Sequence, residues 1–511
     1  MSVQAHTVPP TRDSSNGTSE RLRNYVGGEW IEPAGGEELD VRNPATDQIL
    51  ARVPLSSAED VDRAVTAAAA AFPAWRATPV LTRARALFAL REKLDANREE
   101  LAQLVTLDMG KTLDDARGEV RRGIESVEAA CAISGELKGE VLEQVAGGVD
   151  VEMVRQPLGV VAAITPFNFP AMIPLWFLPY AIATGNCFVL KPSERDPLTA
   201  RRICELVGEI EAIPAGVVNL VNGAHEAVDS LLTHPLVDAV SFVGQTTTAR
   251  YVASRATEAG KRVQALGGAK NAFVLMPDAE PDAMVAGVLS SAFGAAGQRC
   301  LAGSVAIVVG DDAEQEATLA RLVAGAEGLQ VGAGADPATD VCPLVSPEAR
   351  IRVEGMVAGA LDRGAGLVLD GRREGGEAGA EMGPTIVEPA DPADELLREE
   401  IFGPVLAIRR APDLDAAIEI ANSSRFGNAA MIFTSSGASM RAFRFGIEAG
   451  MLGVNVGVAA PIAWFPFAGW KDSFVGDLHA NGRDAFAFYT RAKVVTSRWP
   501  SPAPATAGAA S

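Results

Sequence analysis

From Ser57 to about Ile133 apolar residues recur at helical spacing, in the runs AEDVDRAVTAAAAAF, RARALFALREKLDANREELAQLV and DDARGEVRRGIESVEAACAI. After them come GVVAAITP, NCFVLKP, VDAVSFVG and NAFVLMP, short apolar runs separated by helical stretches. That alternation predicts parallel strands covered by helices on both faces, an α/β architecture. A second series, SVAIVVG, LVLDG, PVLAIRR, NAAMIFTS and LGVNVG, predicts a second α/β domain beginning near residue 270. Two stretches, EVLEQVAGGVDVEMVRQ and FAFYTRAKVVTSRW, instead alternate apolar and polar residues. They lie outside both series and predict a projecting β arm of the kind that makes subunit contacts.

One segment imitates a membrane span, because residues 156–190 carry no charged side chain. Pro157, Pro166, Pro170, Pro174 and Pro179 interrupt it. Each removes a backbone donor, so a buried strand, a loop, a short helix and a second strand fit better than a bilayer helix. At 511 residues, with 48% hydrophobic and 22% charged side chains, the chain can fill two or three packed domains. A formal net charge of −20 opposes contact with nucleic acid or anionic lipid. The five cysteines (131, 187, 204, 300 and 342) form no CxxC pair, which suggests free thiols in a reducing, cytoplasmic setting and no metal site. Residues 1–21 and 499–511 are small, polar and proline-rich, and are expected to be disordered tails.

Core packing is the ordinary fate of a cysteine, but the setting of Cys300 in FGAAGQRCLAG is unusual. Glycines at 297 and 303 admit close backbone approach, and the adjacent Arg299 should favour the thiolate. In ITPFNFP, Asn168 is a single amide within an apolar loop at a strand end, and is the candidate donor to an oxyanion. VLKPSE ends a strand with Lys191 and Glu194, where doubly wound sheets bind nucleotides and where an ammonium and a carboxylate suit ribose hydroxyls. VSFVGQTTTA runs from a strand through Gly244 and Gln245 into a helix start able to receive a pyrophosphate, though without a GxGxxG pattern.

Taken in order, ITPFNFP, LKPSE, SFVG, GQRC, EEIFGPV and PFAGWKDS resemble the aldehyde dehydrogenase superfamily over about residues 22–498. The resemblance implies a Rossmann-like NAD-binding domain (22–134 and 156–269), an α/β catalytic domain (270–470) and an oligomerisation arm (135–155 and 480–498). It implies Cys300 as nucleophile, with Asn168 and the Cys300 amide as oxyanion hole. Lys191 and Glu400 would take the two riboses of NAD. Thr165, Phe167, Arg195 and Gln245 would line the cofactor site beside Gly244, and Glu194 would oppose a 2′-phosphate. A homodimer or homotetramer is implied as well.

Within the superfamily the chain is most similar to the coenzyme A-acylating methylmalonate-semialdehyde dehydrogenases, through PFNFPAMIPLWFLPYAIATGN, NGAHEAV, GKRVQ, GAKN, MPDA and FGAAGQRC. Hydrolytic relatives carry a glutamate base 34 residues before the nucleophile; here that position is Leu266, or Ala265 if the glycines are matched instead. Neither can activate water, whose pKa is about 15.7, whereas a thiol near 8.5 is already about a few per cent ionised at neutral pH. The missing base therefore points to coenzyme A as acyl acceptor. The resemblance also maps a substrate-carboxylate clamp onto Arg122 and Arg299, with Arg121 left as a solvated helix charge. The second family glycine after SFVG is Ala249 here, and Trp464, Phe465 and Phe467 add aromatic bulk near the substrate mouth. The expected reaction is NAD-dependent oxidation of malonate or methylmalonate semialdehyde to acetyl-CoA or propionyl-CoA. Two rivals are a hydrolytic enzyme releasing a free acid and a non-catalytic nucleotide-binding or structural protein on the same scaffold.

Overall fold

The computed structural model describes residues 19–34, 36–372 and 378–499. Most of both expected tails therefore lies outside the described residues. Arg21, assigned above to the first tail, is instead ordered: it bridges to Arg52 and its guanidinium pairs with Glu32 and Glu38 at 2.7 and 2.8 Å.

Two sheets organise the molecule. The first has eight strands in the order Glu29–Ile31, Asn24–Val26, Val218–Leu220, Cys187–Lys191, Val160–Ile164, Val237–Val243, Arg262–Leu266 and Phe474–Gly476. Its five central strands are parallel, and the strands flanking them pair antiparallel. The uncharged segment supplies the middle of this sheet: strand Val160–Ile164, the wholly buried helix Met172–Ala183 and strand Cys187–Lys191. Burial on both faces explains why these strands read as unbroken apolar runs. From Val160–Ile164 the chain winds outward through residues 187–191 and 218–220, then starts the opposite half at Val237–Val243. The crevice of such a sheet opens beyond the carboxyl ends of the two strands where winding reverses, here at Thr165 and Gly244.

The second sheet runs Gly366–Leu369, Thr385–Glu388, Val405–Ala411, Gly303–Val309, Asn271–Leu275, Ala429–Phe433 and Met451–Val454. It is parallel except at its first pair. Residues 267–270 lead directly from the carboxyl end of one sheet to the amino end of the other. Cys300 and Glu400 precede strands of the second sheet, so they face the crevice of the first across this link.

A third sheet joins Glu140–Ala146, Val149–Pro157 and Thr490–Arg498, with Thr490 opposite Pro157 and Arg498 opposite Val149. The two alternating stretches therefore do pair. Their expected limits change, however, because the FAF of FAFYT belongs to a helix, Gly482–Phe488, that buries Phe486 and Phe488. Its neighbour, the short strand Phe474–Gly476, returns to the first sheet. No helix among the described residues is long and apolar enough to cross a membrane.

Candidate active site

The loop carrying Cys300 follows the helix Pro281–Phe293 through a tight turn in which Ala295, Ala296 and Gly297 all have positive φ, at 49°, 51° and 69°. For the two alanines this left-handed backbone is unfavourable and must be imposed by surroundings. The Ala295 N–H donates to Asp115 Oδ2 at 3.1 Å. Gln298 holds the turn from inside, its Nε2 donating to the Ala295 carbonyl at 3.2 Å and its Oε1 accepting from Val345 N at 2.9 Å. Gly297 has to be glycine twice over, since a Cβ there would also collide with the Gly403 carbonyl. Beyond the turn, the Cys300 carbonyl accepts from Asn271 Nδ2 at 3.0 Å and Asn428 Nδ2 at 2.9 Å. Four segments distant in sequence thus fix one cysteine.

Among the five cysteines Cys300 alone is partly exposed; the other four are buried. Burial of its thiol, reinforced by the Glu400 carboxylate, pushes the pKa up to about 12, with Lys111 pulling the other way. The expectation that Arg299 favours the thiolate is therefore corrected. Its guanidinium is drawn off by Asp115 Oδ1 at 2.6 Å and by the Ser290 carbonyl at 3.2 Å, and desolvation then dominates at the sulfur.

Asn168 is buried, and one hydrogen of its Nδ2 goes to the Gln298 carbonyl at 3.0 Å. This bond ties the ITPFNFP loop to the cysteine loop and leaves a second hydrogen on the same nitrogen. Phe167 meets Phe402 edge to face, with centroids 5.8 Å apart, so the IFGP segment joins the same cluster. Arg122 and Arg299 share with Cys300 a cavity of about 500 Å³, walled also by Phe169, Trp176 and Phe467. Neither guanidinium is bare: Arg122 pairs with Glu125 at 2.9 Å and donates to the Pro461 carbonyl. Arg121 stands at the rim, mostly exposed and 3.6 Å from Glu125. Trp464 and Phe465 are exposed and do not line the cavity; of the three aromatics noted near the substrate mouth, only Phe467 does.

On the crevice side, Thr165 N donates to the Lys191 carbonyl at 3.1 Å, while the buried Thr165 Oγ1 has no partner in the protein. Lys191 Nζ donates to Glu194 Oε2 at 3.0 Å. Burial works to raise the Glu194 carboxyl, but Lys191, a backbone N–H and Arg195 outweigh it and hold the group below the usual range. Arg195 and Gln245 are exposed. Gly244 N donates to the Leu266 carbonyl at 3.0 Å, and Gln245 caps the helix Thr246–Glu258 without a side-chain bond to it. Ala249 is buried within that helix. Glu400 Oε1 accepts the Ala269 N–H at 2.9 Å and its other oxygen lies against Gly268. Burial pushes its carboxyl up to about 7 against the pull of that N–H and of Lys270. Lys270 Nζ is itself buried without a partner.

The sequence reading missed Asp115, Asn271, Gln298 and Asn428, all of which hold the cysteine loop. It also missed Lys111, whose buried pair with Glu119 at 2.7 Å lies over the Phe169 ring in the cavity wall. Glu119 in turn accepts the N–H groups of Ala171 and Met172, fastening helix Leu113–Cys131 to helix Met172–Ala183.

Nearly the whole chain is similar to known proteins. The chain is 50% identical over 480 residues to malonate-semialdehyde dehydrogenase 1 of Geobacillus kaustophilus, covering 94% of this chain and 98% of that one. The methylmalonate-semialdehyde dehydrogenase of Oceanimonas doudoroffii superposes with a TM-score of 0.92 at 43% identity, over 94% and 99% of the two chains. A candidate methylmalonate-semialdehyde dehydrogenase of Sinorhizobium meliloti 1021, solved with NAD, gives 0.93 at 41% identity, over 95% and 99%. Residues 30–495 match the aldehyde dehydrogenase family model, and the chain belongs to that family.

Proposed function

We propose that this enzyme oxidises malonate or methylmalonate semialdehyde with NAD and passes the acyl group to coenzyme A. The observation that carries the reading is a single one: the only partly exposed cysteine opens into a cavity that also holds two guanidinium groups. A short aldehyde bearing a carboxylate matches that pairing, since Arg122 and Arg299 can add charge-assisted bonds to a carboxylate while Cys300 meets the carbonyl. The names of the relatives point to the same substrates.

Cys300 Sγ, once ionised, adds to the aldehyde carbon and forms a C–S bond. The remaining Asn168 N–H and the Cys300 amide receive the developing oxyanion. Bound in the crevice, NAD would supply the hydride acceptor; loss of the hydride as the carbonyl reforms leaves an acyl thioester on Cys300. The chain's own residues fit that nucleotide: Thr165 Oγ1 is a buried hydroxyl in want of a partner, and Lys191, Glu194 and Glu400 offer an ammonium and carboxylates to ribose hydroxyls. Arg195, Gly244 and Gln245 border the crevice mouth around them. Attack by the coenzyme A thiol then breaks the Cys300 C–S bond and returns the sulfur as thiolate, with loss of carbon dioxide yielding acetyl-CoA or propionyl-CoA.

A second reading, hydrolysis to the free acid, draws on Glu400. Its carboxyl, pushed up to about 7, lies against Gly268, two residues beyond Leu266. Leu266 itself cannot serve as base. NADH formation measured over a panel of semialdehydes and neutral aldehydes, with products weighed by mass spectrometry, separates the readings. Acetyl-CoA or propionyl-CoA is the expected product; malonate or methylmalonate would favour hydrolysis.

We also propose a homodimer or homotetramer built through the arm and working in the cytoplasm. Val141, Leu142 and Val494 leave apolar side chains on that arm about two-thirds exposed, a surface suited to a second copy. The unpaired thiols fit a reducing compartment.

A further inference from the structure

Asp115 lies in the helical run DDARGEVRRG but in none of the chemistry-bearing motifs, yet it touches both halves of the proposed chemistry. It sits in the first turn of helix Leu113–Cys131, where its own N–H is held by the Thr112 cap at 3.3 Å. Its Oδ1 takes the Arg299 guanidinium at 2.6 Å and its Oδ2 takes the Ala295 N–H at 3.1 Å. The first partner belongs to the carboxylate clamp. The second is the opening residue of the left-handed turn that leads to Cys300. Neighbouring Asp114 is already committed to Arg117 at 2.9 Å.

Two donors facing two oxygens require a carboxylate, because an amide offers a single acceptor and would turn its NH₂ against the other donor. The ion pair also stands between two spaces. Asp115 and Arg299 both line the 500 Å³ cavity that contains Cys300 and a second cavity of about 480 Å³ on the other side, bounded by Phe293, Asp336 and Asp340. Without Asp115, the guanidinium would border a second cavity whose wall carries two carboxylates, Asp336 and Asp340.

Resting on the proposed roles of Cys300 and Arg299, we propose that Asp115 is a positioning residue: one carboxylate keeps the substrate-recognising guanidinium on the cavity side and clamps the turn that aims the nucleophile.

The test compares alkylation of Cys300 by iodoacetate, which carries a carboxylate, and by neutral iodoacetamide. The full enzyme is used, with the modified residue identified by mass. The wild-type ratio of the two rates is expected to fall at least about fivefold in Asp115→Asn, to the level of Arg299→Gln, and to fall no further when the two substitutions are combined. The KM for malonate semialdehyde should rise about tenfold or more in Asp115→Asn, while that for propanal moves less than about threefold. A rise in the ratio would overturn the proposal, since it would make Asp115 a competitor of the substrate carboxylate. Equal changes in both alkylation rates would overturn it too, reducing Asp115 to a general structural contact. Should Asp115→Asn fail to fold, Asp115→Glu, with its acceptors one methylene further out, is expected to lower the ratio while keeping the charge; an unchanged ratio in a folded Asp115→Glu counts against the proposal. An Arg299→Gln variant with an unchanged ratio would instead strike the clamp reading itself, independently of Asp115.

Discussion

The two sides of Cys300 differ in how their polar groups are partnered. On the cavity side every charge already has a partner: Arg122 with Glu125, Arg299 with Asp115, Lys111 with Glu119. On the crevice side the Thr165 hydroxyl is buried without a partner; the cavity wall also holds one such atom, the neutral Asn481 Oδ1, but no unpaired charge among the described residues. A buried unsatisfied group costs on the order of 1–3 kcal/mol, so the protein carries that cost until a ligand offsets it. The cavity side thus presents its proposed clamp arginines already paired. The crevice side is an incomplete surface that a nucleotide, rich in hydroxyls and phosphates, is suited to finish.

The sharpest way to break this contrast is at the boundary itself. Cys300→Ala should lower NADH formation by at least about 10⁴-fold while leaving NAD binding measurable by calorimetry, because the sulfur belongs to the chemistry and not to the crevice. Retained turnover would end the covalent account. Asn168→Ala should lower kcat by about 10²- to 10³-fold, the typical consequence of losing an oxyanion donor, with little change in the KM for NAD. A comparable rise in the NAD KM would move Asn168 to the crevice side.

The cavity side is addressed by Arg122→Gln. Loss of one charge-assisted contact, worth about 1.5–3 kcal/mol, should raise the KM for malonate semialdehyde roughly 10- to 150-fold and leave propanal nearly unaffected. Equal losses for both aldehydes would contradict the clamp.

The crevice side has a pH signature. The Glu400 carboxyl, at about 7, is raised above its ordinary value, so its ionised, acceptor form is present above pH 7 and lost below it. If ribose hydroxyls donate to that carboxylate, NAD affinity should weaken by about tenfold between pH 8 and pH 6, and Glu400→Gln should flatten the profile. Stability runs the opposite way: the raised carboxyl favours the folded state at low pH, and that advantage is lost as pH rises from the ordinary carboxylate range to about 7.

The contrast also marks what could be read from residues alone. Strands in the wound sheets were legible because burial on both faces leaves continuous apolar runs, and the arm was legible because half-buried strands alternate. The candidates Cys300 and Asn168 stand out in local motifs, and Glu400 only through the resemblance that EEIFGPV helps to carry. The groups that aim them do not: Asp115 meets Ala295 across 180 residues, and Asn428 meets Cys300 across 128. No local spacing encodes such contacts. The same gap misled the reading of Arg299, whose adjacency to Cys300 in sequence suggested an activated thiolate, whereas in the fold its guanidinium serves Asp115 and the thiol is pushed up to about 12. The helix Gly482–Phe488 was misread for a related reason, since its buried face is set by packing on Tyr180 and its neighbours rather than by periodicity.

If an acyl group rests on Cys300 until a thiol removes it, NADH formation on rapid mixing of enzyme with NAD and malonate semialdehyde in the absence of coenzyme A will stop after a single turnover. The account expects a burst of one NADH per active site, a matching mass increase on the peptide containing Cys300, and continued turnover only when coenzyme A is added. Steady NADH production at the full rate without coenzyme A would contradict it and transfer the deacylation step to water.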